Sequence, residues 1–148
     1  FGTGPVARAL LRIAGGFGFT LACCGDDIPD DGTVSHSFSR PEDVASHAGG
    51  NAERYVIVAT QGAGDVASLT TALRMPNSYL AFVGSRKKFA SYRERLLAAG
   101  IAASNIDLVR SPAGLHINAV TPEEIALSVM AEIVQTRRSA RRAEAVNG

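Results

Sequence analysis

The sequence predicts an α/β fold with a doubly wound parallel sheet in three layers. Three observations carry this. Short, continuously apolar segments alternate with amphipathic helical ones from one end of the chain to the other. Fifteen glycines are spread over 148 residues that are 46% apolar and hold no tryptophan, as many tight strand-to-helix turns require. The chain also opens FGTGPVARAL, in which Gly2-x-Gly4-x-x-Ala7 has the spacing of a dinucleotide-binding βαβ turn. The expected architecture is therefore Rossmann-like.

A turn of that kind follows a buried strand, and only Phe1 stands before it here. Phe1 is expected to be the last residue of a central strand, in a chain that is a fragment of a longer protein. Val6, Leu10, Ile13 and Ala14 then recur at helical spacing, and Gly15, Gly16 and Gly18 stop that helix. Residues 19–24 (FTLACC) form the second strand. Residues 25–54 are weakly patterned, with one short helix in RPEDVASHA. Residues 55–60 (YVIVAT) are the clearest strand, β-branched and apolar on both faces. GDVASLTTALRM follows as a helix that stops before PNS. Residues 79–84 (YLAFVG) are the next strand, counted as the fourth and placed beside the first across the topological switch point. Ser85 caps a helix that runs to Gly100, with Phe89, Tyr92, Leu96 and Leu97 inward. Residues 106–109 (IDLV) are the last strand. Thr121-Pro122-Glu123-Glu124 starts the final helix with an N-cap, a proline at the first helical position and a glutamate three after the cap. Acids begin that helix and arginines end it, as the macrodipole prefers. The organisation is one domain over residues 1–138 and a basic tail over 139–148, frayed after Ser139.

Composition excludes some classes. A formal charge of +1 provides no field that demands nucleic acid or a membrane surface. Cys23 and Cys24 are adjacent and offer no disulfide framework. No apolar stretch is long enough to span a bilayer and no signal peptide is visible, so a soluble, cytoplasmic protein is expected.

The chemistry lies in the turns. Gly2 permits a tight turn, Gly4 lets a phosphate approach the backbone, Pro5 suits the first helical turn, and free N–H groups there favour an anion. A plain tight turn explains the same residues. A dinucleotide site also places an acid at the end of the second strand, where Asp26 and Asp27 lie; acids at strand ends are common for other reasons. Gly84-Ser85-Arg86-Lys87-Lys88 is sharper. It puts three cations at the helix end that disfavours them by roughly 0.3–1 kcal/mol each, a cost that a bound phosphate offsets unless the side chains point to solvent. Thr60-Gln61-Gly62 ends a strand where ligands bind in such sheets, and Asp65 is either part of that site or a helix-start acid. His116 is the one histidine near these turns. No histidines, cysteines or acids have metal-ligand spacing, and no nucleophile-base pair is legible.

YVIVATQG with Asp65, YLAFVGSRKK with RERLLAAGI, and SPAGLHINAVTPEEIALSVMAEIV occur in the order and spacing of the XdhC/CoxI family. The chain resembles that family's C-terminal Rossmann-like domain from Phe1 to about Arg138. The GSRxK turn and the P-x-GL…TPEEIA segment are the most specific parts. The resemblance implies an accessory protein that binds molybdenum cofactor, helps its sulfuration, and delivers it to an apo molybdenum hydroxylase of xanthine dehydrogenase or carbon monoxide dehydrogenase type. A cysteine desulfurase and a second copy of the chain, paired through the apolar last helix, are the further partners it implies. The binding residues expected are Gly2, Thr3, Gly4, Pro5, Asp26, Thr60, Gly84, Ser85, Arg86, Lys87 and Gly114.

The sequence also departs from the family. The family has a separate N-terminal domain, often with a cysteine linked to cofactor handling, and Cys23 and Cys24 are not its counterparts. The family's Asp-x-Arg-like turn reads Gly25-Asp26-Asp27 here. Gln61 stands where a histidine commonly follows the threonine. The pattern GL-[DN]-I-G-A reads Gly114-Leu115-His116-Ile117-Asn118-Ala119. Two other readings stay open: an NAD(P)-binding oxidoreductase domain, on Gly2, Gly4 and Asp26, and a structural dimerisation domain that has lost its ligand.

Overall fold

The computed structural model describes residues 1–48, 50 and 52–147; Gly49, Asn51 and Gly148 lie outside it, the last of these closing the basic tail. Four short strands, β1 (Ala22–Cys24), β2 (His36–Phe38), β3 (Tyr55–Val58) and β4 (Tyr79–Phe82), alternate with helices α1 (Pro5–Ala14), α2 (Pro41–His47), α3 (Asp65–Arg74), α4 (Arg86–Ala90), α5 (Arg93–Ala98), α6 (Ala103–Asp107) and α7 (Pro122–Asn147). β1 pairs with β2 and β3 with β4, both in parallel.

Phe1 joins the two pairs. Its amino group donates to the Ile57 carbonyl at 2.7 Å, and its carbonyl accepts from the Ala59 N–H at 2.8 Å. That alternation along one partner is the pattern of a parallel ladder. On the other side the Gly2 N–H donates to the Cys24 carbonyl at 2.8 Å. At the far edge Arg110 bridges Ala81 in parallel, donating to Leu80 and accepting from Phe82. The order is thus β2, β1, Phe1, β3, β4, Arg110, with Phe1 in the middle as expected. This is a doubly wound sheet with its switch point between β1 and β3 on either side of Phe1.

The two faces divide the core. Along β4, Tyr79 and Ala81 point into a cluster with Ala9, Leu10 and Ala14 of α1 and Ala126, Val129, Met130 and Ile133 of α7. Leu80 and Phe82 point the other way, into Leu69 and Ala72 of α3, Leu96 of α5 and Ile106 of α6. The period-2 alternation of a strand produces this split. Small residues at positions 9, 14 and 126 let α1 and α7 lie close. Phe82, Leu69 and Leu96 are fully buried, each contributing roughly 1.5–3 kcal/mol of apolar burial.

Several expectations are corrected. The weakly patterned stretch holds a strand, β2, as well as the short helix; three residues with a histidine and a serine among them carry little periodic signal. With β2 counted, residues 79–82 move one place outward. β3, not β4, stands beside Phe1, and the Gly84 turn is separated from the Gly2 turn by the loop after β3. Residues 106–109 are not a strand. Ile106 and Val109 are both buried three residues apart, which is a helical spacing, and the extended pairing begins only at Arg110. The helix from Ser85 to Gly100 is broken into α4 and α5. At the break the Ser91 hydroxyl donates to the Lys88 carbonyl at 2.6 Å and the Tyr92 N–H turns to Phe89, three residues back. The last helix does not fray at Ser139: α7 continues to Asn147. Its start is as expected, with Thr121 and Glu124 exchanging backbone and side-chain bonds as a capping box.

Candidate functional site

The turns that carry the predicted chemistry meet at the C-terminal edge of the sheet. Gly2 has φ +108, and a Cβ on it would lie 2.6 Å from the Ala59 carbonyl carbon, so only glycine lets the opening turn pass the end of β3. Thr3 lies against Gly25 at the end of β1, where an added Cβ would meet its methyl at 2.8 Å. Gly4 caps α1 in extended conformation, and Pro5 begins the helix. No side chain caps α1 and no acid occupies its first turn. The helix thus presents free N–H groups at its start, the feature that attracts an anion.

Arg8 braces this turn. Its guanidinium donates to the Thr3 carbonyl at 2.9 Å, the Asp27 carbonyl at 2.8 Å and the Asp27 carboxylate at 2.5 Å. The glycine turn is thereby tied to the loop after β1. Of the two acids there, Asp27 is engaged while Asp26 is exposed with no polar partner among the described residues. Sequence reasoning missed Arg8. Its signal was a cation early in a helix, the same dipole argument that singled out residues 86–88.

The loop after β3 is fixed by Asp65, which is buried at the start of α3. One carboxylate oxygen accepts from the Thr60 hydroxyl and from the Gly62 N–H at 3.0 Å; the other accepts from the Tyr92 hydroxyl at 2.7 Å and pairs with the Lys88 ammonium at 2.9 Å. Burial alone would raise this carboxyl. The bonds from Thr60, Lys88, Tyr92 and the Gly62 amide outweigh burial and hold it at about 2. The same bonds push the Lys88 ammonium and the Tyr92 phenol up. Asp65 is thus a locked structural acid as well as a helix-start residue. Gln61, between the two anchored residues, has φ +55, and its carboxamide lies over Gly4.

The remaining candidates divide. A Cβ on Gly84 would run into the Phe82 ring, so this glycine serves packing at the end of β4. The Ser85 hydroxyl accepts from the Lys88 N–H at 3.1 Å and caps α4, as expected. Arg86 and Lys87 are exposed and make no hydrogen bond or ion pair among the described residues. Arg86 borders a hollow of about 290 Å³ with Arg93, Asp107 and Ser111. Lys88 is the cation of the three that turns inward. Gly114 has φ +93 and is pressed on α7: a Cβ would lie 2.9 Å from the backbone of Ser128 and Val129. His116 is exposed.

The Gly114 N–H leads to a second buried network that sequence reasoning missed. Glu132 of α7 accepts from it at 2.9 Å, from the Tyr79 hydroxyl at 2.7 Å and from Arg110 at 3.0 Å. Burial and the bond to Glu132 push the Tyr79 phenol up. The legible signal was a glutamate inside the apolar stripe of the last helix. Cys23 and Cys24 are buried and unbridged, and burial pushes both thiols up. Among the described residues, no group of three histidines, cysteines or acids is placed to hold a metal, and no helix is long and apolar enough to cross a membrane.

The same architecture and much of the same sequence occur in known proteins. The chain is 30% identical to the uncharacterized protein YqeB of Escherichia coli (strain K12), an alignment covering 94% of this chain and 27% of that protein. It superposes with a TM-score of 0.77, at 27% identity, on a crystal structure described as a xanthine dehydrogenase from Bacillus halodurans, covering 97% of this chain and 45% of that one. The chain therefore spans about a quarter to a half of the length of these relatives. The family model described as the XdhC Rossmann domain matches residues 1–133. A parallel sheet ordered about Phe1, a glycine turn at its switch point and a match over nine-tenths of the sequence agree: the chain belongs to the XdhC family, as its Rossmann domain.

Proposed function

We propose that this domain is the ligand-binding part of an accessory protein that holds molybdenum cofactor and assists its sulfuration and insertion into a molybdenum hydroxylase of xanthine dehydrogenase or carbon monoxide dehydrogenase type. Family membership supports the class of role. The observation that carries the site is the convergence of three loops on the uncapped start of α1: the turn Gly2-Thr3-Gly4-Pro5, the Gly25-Asp26-Asp27 loop and the Thr60-Gln61-Gly62 loop. Backbone N–H groups free of any side-chain cap, beside the Thr3 hydroxyl, form the donor set that suits a phosphate ester. Asp26, exposed and without a polar partner among the described residues, is suited to a ring amine or hydroxyl of the same ligand. Arg86 and Lys87 are its electrostatic support from beyond the Thr60 loop; Gly84, Ser85 and Gly114 shape the edge. The apo-hydroxylase is the client, a cysteine desulfurase supplies sulfur, and two copies of the chain pair.

Titration of the purified protein with molybdopterin cofactor, NAD and NADP tests this reading. The cofactor is expected to bind most tightly, and Arg86→Ala to weaken it several-fold with little change in melting temperature, because an exposed contact contributes about 1 kcal/mol or less. Unfolding of Arg86→Ala with unaltered affinity would make Arg86 structural. A second reading, an NAD(P)-binding domain, is favoured by the Gly2-x-Gly4 turn with the exposed Asp26, and tight NAD binding would select it.

A further inference from the structure

We draw no further inference here: the strongest candidate, the cavity of about 610 Å³ between β1 and β3 in line with Phe1, belongs to the central strand position already described, and nothing else in the structure shows what covers it.

Discussion

Asp65 is the residue whose change should be felt most sharply, because one buried carboxylate serves four donors. Asp65→Asn keeps the shape and removes the charge. One lobe of the new amide is a donor facing donors, and Lys88 loses its counter-ion. The carboxyl stands at about 2 in the folded protein against an ordinary value of 3.8. At about 1.4 kcal/mol per unit this corresponds to roughly 2 kcal/mol of stability linked to ionisation. The folded value is depressed, so this contribution is complete above about pH 4–5 and is lost as the pH falls through about 2. At neutral pH, Asp65→Asn should cost about 2–4 kcal/mol, since it leaves buried donors badly matched. Urea denaturation of both proteins from pH 6 to pH 2 measures this. The gap between them should narrow by roughly 2 kcal/mol at the acid end. Asp31 and Glu124, also held low, are common to both proteins and cancel. A gap that stays constant over that range would refute the claim that the network binds the ionised form.

Other expectations follow from the same geometry. Gly114→Ala combines a left-handed φ with overlap onto the α7 backbone and should cost at least about 2 kcal/mol; a wild-type melting temperature would mean that the loop is not pressed on α7. Glu132→Gln should cost about 2–3 kcal/mol in chemical denaturation and Tyr79→Phe about 1 kcal/mol, since the second removes one of three bonds to a buried acceptor and the first weakens all three. Arg8→Ala should change the melting temperature little but speed hydrogen exchange at the Gly2 amide, which bonds Cys24 next to the braced turn; unchanged exchange would show that the turn holds without Arg8.

The family and the class of fold were legible early. The alternation of apolar strands with patterned helices, the glycine turn at residue 2 and the TPEE start of α7 are local signals, and local physics produces them: period-2 and period-3.6 burial, positive φ at glycine, and capping of free amides. Even the central place of Phe1 could be argued, because such a turn follows a strand. The helix break at Ser91 and the turn of helix at Ile106 were not legible, since their residues fit the alternatives equally well. Three-residue β2 was hidden because a short edge strand held in register by β1 alone needs no long apolar run. Missing it misplaced β4 by one position.

The candidate site divides along the same line. Sequence alone determined that glycine turns, an acid after β1 and a cluster of cations belong near one sheet edge. It could not assign their partners, because a hydrogen bond between residues far apart in the chain leaves no periodic trace. Only the tertiary structure decided that Lys88 is committed to Asp65 while Arg86 is exposed, that Arg8 braces the opening turn, and that Glu132 gathers Tyr79, Arg110 and Gly114. It decided too that the Gln61 carboxamide lies over Gly4. The order of strands brings residues 4 and 61 to the same edge, and burial then makes each polar atom there find a partner or stay open to a ligand.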